Sequence, residues 1–248
     1  MGMVKTKSFE LAVNAKGNPN ASKLALLLPG RLDPKDYINF EKHAQYLAGK
    51  GFYAIAFDPP GTWDSPGGIE LFTTTNYIKT VNELIEYFGN KPTLLLGHSR
   101  GGATAILAST NPNVTGIVLV LASYEAPSEP DSLENGVQIE YRDMPPGDKK
   151  TEEQKKFELP LEYFTDGQKY NPLEVLKACT KPKLLFSGTD DEYYTPEEVK
   201  EIYDSLLDPK KYHKLNTDHD YRYRPEVIEE VNRGLKRFLH TYFIKHEK

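Results

Sequence analysis

Short, mainly apolar runs alternate with longer amphipathic segments along most of this chain. The runs lie at Leu24–Leu28, Phe52–Phe57, Thr93–Leu96, Ile117–Leu121 and Lys183–Phe186, and each is too short for a helix but typical of a strand covered on both faces. Helical apolar spacing occurs at Ile38–Lys50, Thr75–Phe88, Gly101–Ser109, Pro196–Leu207 and Pro225–Phe243. This order predicts an α/β fold with a mostly parallel, doubly wound sheet.

Outside this alternation we predict two further strands and one long insertion. Ser8–Val13 alternates like an antiparallel edge strand, and Lys211–Leu215 is a candidate for a short final strand. A chain of 248 residues fits one large α/β domain, so we predict a single domain over 1–248. From Tyr124 to Tyr170 the alternation stops. We interpret 124–170 as a cap or lid over the site, with short helices such as Thr151–Glu158.

Charge and cysteine content restrict the classes of partner. A formal net charge of −5 disfavours nucleic acid, which usually calls for a basic face. The single Cys179 cannot form an intrachain disulfide, and no Cys/His cluster has the spacing of zinc ligands, so we expect a cytoplasmic protein without a bound metal. We expect no signal peptide and no membrane span. The predicted partner is therefore a small molecule, bound by a monomer or a homodimer.

The segment Gly97-His98-Ser99-Arg100-Gly101 lies where a predicted strand meets a predicted helix. In that context G-x-S-x-G indicates a nucleophile elbow, a tight turn in which the glycines relieve crowding around an exposed serine hydroxyl. Ser99 is therefore the candidate nucleophile, and the following helix would direct its amino-terminal dipole toward a developing oxyanion. The alternative, that Ser99 only caps this helix, stays open.

These features resemble the α/β-hydrolase superfamily over nearly the whole chain. Leu26–Arg31 is similar to the segment of that family that leads from a strand into a loop ahead of the first helix, although Pro29 replaces the usual histidine. The resemblance implies the α/β-hydrolase fold, with a cap inserted after the strand that follows the nucleophile helix. It assigns the oxyanion hole to the backbone N–H groups of Arg31 and Arg100.

The resemblance also implies the order nucleophile, acid, histidine along the chain. A cluster of carboxylates at positions 190–192 follows the predicted strand that begins at Lys183. Counting from Gly188 in the family's G-x-x-D pattern selects Asp191, with Asp190 as a close rival. The alternative is that these acids only complement the amino-terminal end of the next helix. Asp58 lies in a segment that resembles a structural turn of the family, so we set it aside as the acid.

His219 lies between the last predicted strand and the last predicted helix, where the resemblance places the catalytic histidine. We identify it as the base, and a surface histidine without catalytic role is the alternative. The other histidines lie on predicted helices or strands, beside the serine, or in the carboxy-terminal tail: His43, His98, His213, His240 and His246.

These assignments predict a carboxylesterase-like serine hydrolase that cleaves a small or medium acyl or aryl ester through an acyl-enzyme on Ser99 and requires no cofactor. Candidate substrate-binding residues in the cap are Tyr141, Tyr163 and Phe164, although aromatic residues also simply pack small subdomains. Two alternatives remain open. One is an aminopeptidase or amidase of the same fold, and the other is a ligand-binding receptor that turns over slowly.

Overall fold

A computed structural model describes residues 2–130 and 132–243. Its strands are β1 (Gly2–Lys5), β2 (Glu10–Lys16), β3 (Lys23–Leu28), β4 (Phe52–Phe57), β5 (Thr93–His98), β6 (Val114–Val120), β7 (Val137–Asp143), β8 (Gln154–Pro160), β9 (Lys183–Gly188) and β10 (Lys210–Leu215). Its α-helices are α1 (Ile38–Ala48), α2 (Thr74–Tyr87), α3 (Arg100–Ala108), α4 (Leu161–Gly167), α5 (Pro172–Ala178), α6 (Pro196–Ser205) and α7 (Pro225–Tyr242). His246 lies outside the described residues.

Eight strands form one sheet in the order β1-β2-β4-β3-β5-β6-β9-β10. The pairs β1–β2 and β2–β4 are antiparallel, and every pair from β4 to β10 is parallel. The prediction of a mostly parallel sheet with helices between its strands is thereby confirmed. Each of the five predicted helices is present, with ends that differ by at most two residues from the prediction.

The two faces of the sheet bury different helices. In β3, Leu24, Leu26 and Leu28 pack in one hydrophobic cluster, together with residues of α2, α3 and α6. The alternate residues Ala25 and Leu27 pack in a second cluster with α1 and α7. This period of two follows from the pleat of a strand, and it explains why strands covered on both faces are apolar at every position.

The long insertion between β6 and β9 departs from its prediction. The segment Thr151–Glu158 does not form a helix; most of it belongs to β8, which pairs antiparallel with β7. Phe157 and Leu159 are buried in β8, whereas Lys156 and Glu158 are exposed and form an ion pair on the other face. Burial with a period of two, rather than 3.6, is what a half-covered strand requires.

The insertion packs on loops beside the eight-stranded sheet and on helix α2. The rings of Phe157 and Trp63 meet edge to face at 5.4 Å, and the ring of Tyr163 on α4 stacks on Phe72 at 5.2 Å. The hydroxyl of Tyr170 lies 2.8 Å from a threonine hydroxyl of α2. Among the described helices, none combines the length and the apolar content that a bilayer crossing demands.

Candidate active site

The functional candidates meet at one edge of the sheet. The strands β3, β5, β6, β9 and β10 are parallel, so the loops that follow them emerge on the same side. Ser99 directly follows β5, Asp191 follows β9, and His219 follows β10. In open α/β sheets this carboxyl edge is where ligands bind.

Ser99 occupies a strained turn between β5 and α3. Its φ of 51° and ψ of −121° are unfavourable for any residue with a side chain. A Cβ on Gly97 would lie 2.3 Å from the Gly101 carbonyl oxygen, and a Cβ on Gly101 would lie 2.0 Å from the Leu28 carbonyl oxygen. Both positions therefore require glycine. The Ser99 side chain makes no capping hydrogen bond to α3, so its hydroxyl is not used as an N-cap.

Ser99, His219 and Asp191 lie in hydrogen-bonding sequence. The Nε2 atom of His219 is 2.8 Å from Ser99 Oγ, and its Nδ1 atom is 3.1 Å from Asp191 Oδ1. The side chain of Asp191 is 3% exposed, and its Oδ1 also accepts a hydrogen bond from the Tyr193 N–H. Asp190 is exposed and accepts a hydrogen bond from Thr189 instead. The geometry thus joins Asp191, and not its neighbour, to the histidine.

A second histidine supports the loop that carries His219. His98 Nε2 lies 3.2 Å from the His219 carbonyl oxygen, and His98 Nδ1 lies 3.3 Å from Asp33 Oδ2. The His98 ring therefore links Asp33 to the backbone of the loop that carries His219. Burial raises the pKa of Asp33, but its hydrogen bond to His98 and the charges of His98 and Arg142 outweigh that effect and lower it.

The two predicted oxyanion-hole donors lie beside the serine. A Cβ on Gly30 would come within 3.3 Å of Ser99 Cβ, which places the Gly30–Arg31 loop against the elbow. The Tyr77 hydroxyl donates to the Pro29 carbonyl oxygen at 2.9 Å and so fixes this loop. Within residues 2–130 and 132–243, the backbone N–H groups of Arg31 and Arg100 have no hydrogen-bond acceptor. Free donors at this position could stabilise a developing oxyanion.

Asp58, which the sequence analysis set aside, lies in a separate charged cluster. Its carboxylate accepts hydrogen bonds from the Lys35 backbone N–H at 2.7 Å and from Lys35 Nζ at 2.9 Å. The fully buried Lys35 ammonium also contacts Asp36 and Asp64, each at 2.7 Å. Asp58 therefore holds the turn after β4.

Ser99 and His219 face a cavity of about 500 Å³ between the sheet edge and the insertion. Of the three cap aromatics that the sequence suggested, Tyr163 lines this cavity. Tyr141 is 54% exposed and Phe164 is buried in the core, and neither belongs to the cavity wall. The geometry thus gathers one of the three at the site and gives Phe164 a packing position.

Sequence reasoning missed the charged residues that tie the insertion to the histidine loop. The guanidinium of Arg222 pairs with Asp143 of β7 at 2.7 Å, donates to the Gly147 carbonyl oxygen at 3.1 Å, and contacts Asp220 and Tyr223. Arg222 lies three positions after His219 and lines the same cavity. The only local signal was a cluster of charged and aromatic residues after the histidine, which specifies no partner.

Two family profiles match successive parts of the chain. The profile described as alpha/beta hydrolase fold matches residues 25–145, and that described as PhoPQ-activated pathogenicity-related protein matches residues 147–243. The search of curated proteins found no match.

Solved structures extend the likeness to the full chain. Est1E from Butyrivibrio proteoclasticus, with bound ferulic acid, is 16% identical and superposes with a TM-score of 0.78 over 99% of this chain and 100% of its own. The monoacylglycerol lipase of Paleococcus ferrophilus is 21% identical and superposes with a TM-score of 0.71 over 94% of this chain and 99% of its own. The mouse alpha/beta hydrolase domain-containing protein 10 is 17% identical and superposes with a TM-score of 0.72 over 97% of this chain and 98% of its own. The sheet order, the elbow after β5 and these matches agree: the chain has the α/β-hydrolase fold, and its residues 25–145 match the family profile of that description.

Proposed function

We propose that this protein is a serine hydrolase that cleaves a carboxylic ester with a small or medium acyl or aryl group. The observation that carries the proposal is the continuous set of contacts from Ser99 Oγ through His219 to Asp191. A serine hydroxyl is a poor nucleophile at neutral pH unless a base removes its proton, and a carboxylate on the far ring nitrogen fixes the required tautomer. The strained elbow and the two free N–H groups support the same proposal.

In the proposed reaction, Ser99 Oγ attacks the ester carbonyl carbon while His219 Nε2 accepts the hydroxyl proton. The resulting oxyanion accepts hydrogen bonds from the N–H groups of Arg31 and Arg100. The imidazolium then donates its proton to the alcohol oxygen as the carbon–oxygen bond to the alcohol breaks, which leaves an acyl-enzyme. Water attacks the acyl carbon as His219 takes one of its protons, and that proton returns to Ser99 when the acid departs.

Two relatives of the same fold support an ester as the substrate. One is a monoacylglycerol lipase, and the other holds ferulic acid, an aryl carboxylic acid. We also propose that 1–248 is one domain with 124–170 as its cap. Tyr163 in the cavity wall and the ion pair between Asp143 and Arg222 support this role for the insertion.

The test is the variant Ser99→Ala with short p-nitrophenyl esters. Because the proposed nucleophile is deleted while the glycines of the turn remain, we expect kcat/KM to fall by about a thousandfold or more with little change in the unfolding transition. A fluorophosphonate probe should label the parent protein and fail to label this variant. Ser123→Ala, which removes another serine of the same cavity wall, should stay labelled. Full turnover by Ser99→Ala would refute the proposal.

A further inference from the structure

The arginines of the catalytic cavity are not equally neutralised. Four of them line its wall, and three have a carboxylate partner within 3.2 Å. The three pairs are Arg31 with Glu140, Arg142 with Glu140, and Arg222 with Asp143. Arg100, the residue after the nucleophile, forms no ion pair with any carboxylate in the part of the chain that the structure describes. Among these four guanidiniums, that of Arg100 is the one without a carboxylate partner.

Arg100 is also largely removed from water. The residue is 8% exposed, and burial lowers the pKa of its guanidinium. Its Nη1 donates a hydrogen bond to the Glu125 carbonyl oxygen at 2.8 Å. A guanidinium has five N–H donors, so this contact uses only a small part of its capacity. Burying a charge without a counterion is costly, and an anionic ligand would remove that cost.

A second polar group beside Arg100 is also unsatisfied. Tyr163 is 2% exposed and lines the cavity next to the Arg100 guanidinium, yet its hydroxyl proton has no acceptor among residues 2–130 and 132–243. Helix α4, which carries Tyr163, lies close to the guanidinium. A Cβ added to Gly167 of this helix would be only 3.1 Å from Arg100 Nη2. A buried hydroxyl normally has a partner, so this orphan donor is an independent sign of a ligand.

We propose that Arg100 and Tyr163 form a subsite for a carboxylate of the substrate, so that the ester cleaved at Ser99 carries a negative charge. That the substrate is an ester rests on the proposed function. That it carries a negative charge rests on the Arg100 and Tyr163 side chains in the cavity wall. A planar guanidinium matches the two oxygens of a carboxylate, and the phenol adds a neutral donor. Glu125 and Glu192 line the same cavity, and their repulsion is weaker for a monoanion than for a phosphate dianion.

Binding is measured in the Ser99→Ala variant of the 248-residue chain, where no turnover interferes. NMR titration compares the monomethyl esters of succinate, glutarate and adipate with methyl esters in which a methyl group replaces the carboxylate. A further pair, butanoyloxyacetate and ethyl butanoate, places the charge on the alcohol side. We expect at least one charged ester to bind about tenfold or more tightly than its neutral counterpart, the scale of one charged hydrogen-bonded contact.

Added to Ser99→Ala, Arg100→Gln should abolish this ratio and Tyr163→Phe should reduce it, while Arg142→Gln, which removes a paired guanidinium of the same cavity, should leave it unchanged. Equal affinity for every charged and neutral pair, or a ratio that survives both Arg100→Gln and Tyr163→Phe, would overturn the subsite. If Arg100→Gln does not fold, the ratio in Tyr163→Phe decides. Hydrolysis and probe labelling of the parent protein test the proposed function separately, so either proposal can fail alone.

Discussion

Asp190 and Asp191 are adjacent in the sequence but have different surroundings. Asp191 is buried and accepts from the His219 ring, whereas Asp190 is exposed and pairs with Thr189. We expect Asp191→Asn to lower kcat for a p-nitrophenyl ester by about a hundredfold or more, since an amide can stabilise the wrong tautomer of the histidine. Asp190→Asn is the matched control and should change kcat by no more than about threefold. The opposite ranking would transfer the acid to Asp190.

A sequence reveals residues that lie in short local motifs, but it does not reveal contacts between residues that are far apart along the chain. The proximity of Ser99, Asp191 and His219 was predictable because each follows a recognisable strand in a characteristic segment. Arg222 and its partner Asp143 are 79 positions apart, and only the folded chain brings them together. No spacing rule pairs two such charges, so the support of the histidine loop was invisible in the sequence.

At the scale of elements, the parallel strands of the main sheet were predictable and the insertion was not. The strand β1 was not predicted, and because it pairs with β2, the predicted edge strand Ser8–Val13 lies inside the sheet. Strands covered on both faces need apolar residues throughout, and that pattern is unambiguous. Lys155, Lys156 and Glu158 favour a helix by intrinsic propensity, so Thr151–Glu158 suggested one. In the fold, Phe157 packs on Trp63 and this segment pairs with β7, and those tertiary contacts override propensity.

The ion pair between β7 and the histidine loop yields a prediction about stability. Asp143→Ala removes the buried one of the two carboxylates that contact the Arg222 guanidinium and leaves the more exposed Asp220, so we expect the free energy of unfolding to fall by roughly 2 kcal/mol. Urea denaturation measures the change. Glu158→Ala, which breaks an exposed pair with Lys156 on the same hairpin, should cost less than about 0.5 kcal/mol. Equal costs for the two variants would contradict a structural role for the buried pair.

For the whole molecule, a buried histidine links stability to pH. The Nδ1 atom of His43 on α1 lies 2.8 Å from Asn232 Oδ1 on α7, and its Nε2 atom lies 3.0 Å from the Tyr221 hydroxyl oxygen. Burial lowers the pKa of His43 to about 4, from 6.5 in the unfolded chain. Below about pH 6.5 the unfolded chain binds a proton that the folded protein excludes, so stability falls as pH falls toward 4.

Equilibrium unfolding at several pH values tests this link. Between pH 6.5 and 4, the contribution of His43 to the decline should approach roughly 3 kcal/mol. His43→Gln cannot titrate but keeps hydrogen-bonding capacity, so it should be less stable at neutral pH and should lose less stability on acidification. A decline of the same steepness in both proteins would remove His43 as a source of acid sensitivity.

The wide separation of the proposed catalytic residues along the chain has a kinetic consequence. Ser99 and His219 are 120 positions apart, and Asp191 belongs to a third segment. Contacts between distant positions form late, because the intervening chain must first close. Recovered esterase turnover during refolding should therefore never precede the fluorescence signal of a packed core. Turnover would then serve as a kinetic reporter that the amino-terminal and carboxy-terminal halves of the sheet have joined.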